Sequence, residues 1–255
     1  MPATLLYLSA ADVRAAMPPL PERIRLAELT MTALVADAEL PPKIGVHPTP
    51  SGSFAHAMPA WLRGADPDGS GDGLGIKWVT GFPSNRDRGL PTIHATVLLS
   101  DPATGEPRAI LDGGPITAER TAAVSGVAIA RFGPTTGRLG GRPAVAAIVG
   151  AGVQGHSHLP VLGHLVPGVH LVLADRHPDR VAALAHTADG IEGIADVRVA
   201  GSVREAIESA DLVITAVSFT TPDHRGVMTS DWLRDDATVV AVDYASLCGS
   251  SVAAE

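Results

Sequence analysis

The chain has 255 residues, enough for one large domain or two modest ones, each with its own core. A formal charge of −8 with no dense Lys/Arg run argues against a nucleic-acid surface, and a lone cysteine, Cys248, rules out an intrachain disulfide and points to a reducing compartment. The N-terminus lacks a basic region followed by an apolar core, and no apolar run could span a bilayer, so the sequence predicts a soluble, cytoplasmic protein with no membrane partner.

Ser9 reads as the N-cap of a short helix that ends before Pro18-Pro19. Residues 21–40 read as an amphipathic helix whose apolar face includes Ile24, Leu26, Leu29, Met31, Leu34 and Val35, stopped by Pro41-Pro42. Lys43 to Val46 and Ser53 to Trp61 read as strands, and residues 65–73 as an acidic, flexible loop. Leu74 to Thr80, Pro91 to Ser100 and Pro107 to Asp112 read as further strands, the last two joined by a hairpin turn at 101–106. A meander of strands of this kind predicts a separate mixed α+β domain. Thr117 reads as the N-cap of a long apolar helix that ends at Gly133-Pro134.

The second half opens with an apolar run, residues 144–149, followed by Gly150-Ala151-Gly152-Val153-Gln154-Gly155. A buried strand, a Gly-x-Gly-x-x-Gly turn and a helix form the arrangement that holds a dinucleotide pyrophosphate. Gly150 permits the turn, Gly152 lets the backbone approach the phosphates, and Gly155 lets the helix pack against the strand. The helix N-terminus offers unpaired N–H groups and a positive dipole end, with the Val153 and Gln154 amides in its first turn. A second apolar run, 169–174, ends at Asp175, twenty residues beyond Gly155, where a ribose-binding carboxylate is expected. That carboxylate favours NAD, while Arg176 and Arg180 keep NADP as the alternative. Residues 211–217 and 239–242 read as the fourth and fifth strands of a Rossmann-type sheet. The ten histidines show no metal-ligand spacing, so no metal is expected. Cys248 reads as an inert buried thiol.

Four blocks carry a resemblance: Gly75-Ile76-Lys77-Trp78-Val79, then Asn85 with Gly89-Leu90-Pro91-Thr92, then residues 112–123 from Asp112-Gly113-Gly114-Pro115 through Arg120-Thr121-Ala122-Ala123, then the 150–155 turn. Together they are similar to the ornithine cyclodeaminase/mu-crystallin family over nearly the whole chain. The resemblance implies an α/β fold: a mixed α+β substrate-binding and dimerisation domain at 1–116 and an NAD(P)-binding Rossmann domain at 117–255. The family continues for several tens of residues past the fifth strand, so the resemblance implies that the C-terminal part is short here. It implies a homodimer and an NAD(P)-dependent oxidoreductase for a small imino or amino acid. Ornithine or lysine cyclodeamination and cofactor binding without turnover are the alternatives.

Residue by residue, Lys77 matches the family's active-site lysine, a cation beside the substrate carboxylate that can also pass a proton. Arg120 matches an arginine that grips a carboxylate with two parallel hydrogen bonds, or reaches a cofactor phosphate. Gln154 matches the family's glutamine in the glycine turn. Lys43 falls where cyclodeaminases carry a substrate-binding arginine, keeping the charge but losing the fork. His56 falls where they carry a glutamate. Asp243 lies two positions ahead of the family's catalytic aspartate, whose place Ala245 takes; it enters the site from another angle or caps a loop. These departures argue against strict ornithine cyclodeamination.

Overall fold

The computed structural model describes residues 4–35, 37–65, 71–218, 223, 225–243, 245–249 and 252. It divides into two compact units, residues 1–120 and 121–255.

In the first unit, β1 (Leu6–Leu8), β2 (Ala38–Glu39), β3 (Ile44–Val46), β4 (Phe54–Leu62), β5 (Gly73–Gly81), β6 (Ile93–Ser100) and β7 (Pro107–Asp112) form one sheet. The strand order is β1-β7-β6-β5-β4-β2, with β3 also on β4; only the β1–β7 pair is parallel. Helix α1 (Ala10–Ala15) is capped as expected: the Asp12 N–H donates to Ser9, and the Asp12 carboxylate accepts the Ser9 N–H. The 101–106 turn closes on Asp101, whose carboxylate accepts the Ala103 and Thr104 amides and pairs with Arg108.

Two helix boundaries differ from expectation. Helix α2 (Leu20–Ala33) stops seven residues short of Leu40. Ala38 and Glu39 are drawn into the sheet opposite Leu62 and Trp61, and Thr30 and Thr32 turn their hydroxyls back onto helix carbonyls. Helix α3 (Gly113–Phe132) begins a turn before Thr117. The Asp112 carboxylate accepts the Gly114 N–H at 2.8 Å, as an N-cap does. Gly113 lies so close to β6 that a Cβ there would sit 2.8 Å from the Ala95 Cβ. The division between units falls inside α3, after Arg120. Most of the acidic loop at 65–73 lies outside the described residues; within it, Asp72 accepts from Trp61 Nε1 and the Gly64 N–H.

In the second unit, β8 (Val145–Val149), β9 (Val169–Ala174), β10 (Ile194–Val199), β11 (Leu212–Thr215) and β12 (Thr238–Ala241) are all parallel, in the order β10-β9-β8-β11-β12. Helices α4 (Val153–Leu165), α5 (Pro178–Ala188) and α6 (Val203–Glu208) follow β8, β9 and β10. Ile148, Leu171, Leu173 and Ile214 are fully enclosed, each worth about 1.5–3 kcal/mol of transfer from water. This is the doubly wound arrangement, with the order reversing between β8 and β11, where such sheets bind ligands at the strands' carboxyl ends. Among the described residues no helix is long and apolar enough to cross a membrane.

Candidate active site

The glycine loop leaves β8 at that reversal point. Gly150 has φ +116, and a Cβ there would collide with the Ala216 carbonyl at the end of β11. Gly155 lies against the Gly150 carbonyl oxygen, which a Cβ would also strike. Gly152 is different: among the described residues, a Cβ there would meet nothing within 4 Å. It is the N-cap of α4, and no side chain caps that end. The first-turn amides, at Val153, Gln154 and Gly155, have no side-chain cap, and there is open space at the Gly152 α-carbon. That space and those donors fit a dinucleotide pyrophosphate.

Asp175, half-buried at the end of β9, accepts the Ala151 N–H on one carboxylate oxygen at 2.7 Å and the His177 N–H on the other at 2.8 Å. Each oxygen keeps a further lone pair for a ribose hydroxyl. Ala151 escaped the sequence reading because it acts through its backbone, which leaves no side-chain signal. Arg176 is exposed, its Nε donating to His177 Nε2 at 3.1 Å.

His158 is fully buried in α4. Nδ1 lies 2.6 Å from the Gln154 carbonyl, which can only accept, so Nδ1 carries the proton and Nε2 accepts from the Ser125 hydroxyl of α3 at 2.8 Å. Burial holds its pKa below the ordinary histidine value. The ring ties two helices together beneath the loop.

Asp243 lies just past β12 and is 4% exposed, with no hydrogen-bond partner on either carboxylate oxygen among the described residues. Burial raises its pKa, against the opposing pull of the nearby Thr215 hydroxyl and of the Leu247 and Ser246 amides. The turn over it closes with the Ser246 N–H on the Asp243 carbonyl. Cys248 stands beside it, its thiol pushed up by burial and by that carboxylate.

The first unit gathers the other candidates. Lys77, in the middle of β5, pairs across the sheet with Met58 and Val97. It is half-buried, and burial first, then Arg120, then Lys43, push its pKa down to about 8. Lys43, just ahead of β3, and Arg120, on α3, thus bring their charges to bear on one ammonium. His56 on β4 is held below its ordinary pKa by burial, then by Lys43 and His47. His47 was not singled out from the sequence; it carries no motif and joins the group through the short β3–β4 pairing. Among the described residues no group of three or more His, Cys, Asp or Glu could hold a metal ion.

A chain that carries an α/β dinucleotide-type unit and a mixed unit with a half-buried lysine defines a class, and comparison with known proteins gives the family. The model of the ornithine cyclodeaminase/mu-crystallin family matches residues 13–249, and the chain belongs to that family. It is 35% identical to the nodulation efficiency protein NfeD of Rhizobium meliloti over 219 residues, covering 86% of this chain and 63% of that protein. It is 33% identical to the ketimine reductase mu-crystallin of Mus musculus over 189 residues, covering 74% of this chain and 54% of that protein. The chain thus spans less than two thirds of the length of these relatives. Among solved structures it is similar to a Delta(1)-pyrroline-2-carboxylate reductase of Thermococcus litoralis in complex with NADH and L-proline. The TM-score is 0.81 at 28% identity, covering 97% of this chain and 72% of that one.

Proposed function

We propose that the chain is an NAD-dependent oxidoreductase acting on a small imino or amino acid, of the cyclic imine reductase or amino acid dehydrogenase type, with NADP the alternative cofactor. The observation that carries this reading is Lys77, a half-buried ammonium held near pKa 8 by burial and by the neighbouring charges of Arg120 and Lys43. A carboxylate placed there relieves that repulsion. The names of two similar proteins, a ketimine reductase and a pyrroline-2-carboxylate reductase, support the same chemistry.

NAD would supply a hydride for the carbon that bears nitrogen. Arg120 and Lys43 hold the substrate carboxylate and so fix that carbon. Lys77, mostly protonated at neutral pH, gives its proton to the nitrogen, so that C=N becomes an amine. Gly152 and the first-turn amides of α4, from Val153 to Gly155, take the pyrophosphate. Asp175, braced by Ala151, takes the ribose hydroxyls and repels a 2′-phosphate. Arg176 lies along the adenosine. Asp243, enclosed just past β12, is the second catalytic candidate. In this reading residues 1–116 bind substrate and dimerise, and residues 117–255 bind the dinucleotide. Support for a homodimer comes from one face of the first sheet: strand register puts Tyr7, Ile44, Val46 and Trp78 on the same side, all exposed.

The test is NADH and NADPH oxidation with Δ1-pyrroline-2-carboxylate, its six-membered analogue, and pyruvate with amines. Turnover with at least one, lowered about 100-fold or more by Lys77→Met, is the expected result. Ammonia release from ornithine without net NADH change would instead make it a cyclodeaminase. Tight NADH binding with no substrate consumed would make it a binding protein.

A further inference from the structure

His158 is a fully buried titratable group to which the proposed mechanism gives no task. Its partners form an ordered chain. The Ser125 hydroxyl lies 2.8 Å from His158 Nε2 and 3.3 Å from the Thr121 carbonyl. Nδ1 carries the ring proton, because only a donor suits the Gln154 carbonyl 2.6 Å away. Nε2 is then a bare acceptor, and the Ser125 proton goes to it. Ser157 adds a second donor at the same Gln154 oxygen, its hydroxyl 3.2 Å away. Ser125 and Ser157 are buried along with the ring, and a buried hydrogen bond is electrostatically stronger than one in water.

The Gln154 carbonyl is one end of a peptide group whose other end is the Gly155 N–H. Resonance links the two ends. A donor on the oxygen draws charge from the nitrogen and makes its proton a better donor in turn. The helix gives that N–H no acceptor: the first intrahelical bond runs from the His156 N–H to the Gly152 carbonyl at 3.1 Å, one residue further on.

We infer that His158 is a positioning residue for the dinucleotide, acting on the pyrophosphate through the 154–155 peptide. It is the middle of a relay: Ser125 O–H to Nε2, Nδ1–H to the Gln154 carbonyl, Gly155 N–H to a phosphate oxygen. This rests on the pyrophosphate role proposed above for the first-turn amides of α4. Every dipole in the relay points the same way, so each bond polarises the next. Burial keeps the ring neutral at pH 7, so polarisation is passed along and no proton moves.

Two variants of similar shape split the relay. His158→Asn keeps an N–H donor where Nδ1 stands and loses the link to Ser125. His158→Gln places its amide where Nε2 stands and leaves the Gln154 carbonyl without that donor. In the full chain free of NADH, the Gly155 amide proton resonance should move upfield in His158→Gln and stay near the parent's position in His158→Asn. By fluorescence titration, NADH should bind about fivefold weaker to His158→Gln and about twofold weaker to Ser125→Ala, with His158→Asn recovering most of the loss. Adenosine, which has no phosphate, should bind all of them alike. Equal NADH affinity for His158→Gln and the parent, equal losses in His158→Asn and His158→Gln, or a matching loss for adenosine makes His158 a packing residue and overturns the inference. Should the His158 variants not fold, an unmoved Gly155 resonance and unchanged NADH affinity in Ser125→Ala overturn it. NADH binding with unmoved variants sinks this inference alone; a parent chain that binds no NADH sinks the dinucleotide reading with it.

Discussion

Glycines 152 and 155 lie three residues apart in one loop and answer to different forces. A Cβ at Gly155 would strike the Gly150 carbonyl, so Gly155→Ala should destabilise the fold by about 1–3 kcal/mol in urea unfolding. A Cβ at Gly152 would meet open space, so Gly152→Ala should leave stability within about 0.5 kcal/mol. It should nevertheless weaken NADH binding about tenfold or more by fluorescence titration, because the backbone can no longer reach the phosphates. Equal NADH affinity for Gly152→Ala and the parent chain would remove the pyrophosphate from this loop. Lys77 sets a second contrast. Its pKa is about 8 when folded, against an ordinary 10.5, so between those values the unfolded chain binds more protons and stability rises with pH. The penalty of the buried ammonium is fully present below about pH 8. Lys77→Met should therefore melt higher at pH 7, with a gain that shrinks from pH 8 to 10.5. In the parent chain, kcat/KM for imine reduction should fall as the pH passes about 8, when the proton donor is lost. A lower melting point for Lys77→Met at pH 7 would mean that the ammonium has a stabilising partner.

At the scale of elements, α3 and α4 are joined by the His158–Ser125 hydrogen bond, and α4 aims the glycine loop. His158→Ala should cost about 2–4 kcal/mol, from the cavity and the orphaned Gln154 carbonyl. Ser125→Ala should cost about 0.5–1.5 kcal/mol. Because burial lowers the His158 pKa, the unfolded chain takes up this proton first. Stability from this group is complete above the ordinary histidine pKa and declines as pH falls below it. A urea midpoint for His158→Ala as sensitive to pH between 7 and 5 as the parent's would assign that decline to other groups. The same scale shows what local reading could reach. The Ser9 cap, the 101–106 turn and the buried strands β8, β9 and β11 were legible, because caps, turns and continuous apolar runs are local signals. The end of α2 and the start of α3 were not. One is decided by the pull of Ala38 and Glu39 into the sheet, the other by the contact of Gly113 with Ala95. Strand β10 was passed over because it is a half-exposed edge strand with Asp196 and Arg198 in it, and shows no apolar run.

At the scale of the molecule, the exposed apolar face of the first sheet is the feature that asks for a partner. Tyr7 is 77% exposed, Ile44 70% and Trp78 45%, and all three lie on one side by register. Tyr7→Glu together with Trp78→Glu should convert a dimer to a monomer in sedimentation velocity without unfolding the sheet. A parent chain that sediments as a monomer at micromolar concentration would end the dimer reading. The sequence by itself determined the family and the glycine loop's strand–turn–helix setting, and it put forward Lys77, Arg120 and Lys43 as candidates, because each rests on residue type at fixed local spacing. Only the tertiary structure decided that Lys43 bears on both Lys77 and His56 and Arg120 on Lys77, that Asp175 is braced by the Ala151 amide, and that Asp243 is enclosed. Those relations join residues from separate strands and helices. Their distances, and the desolvation that shifts their charges, exist only once the sheets have formed.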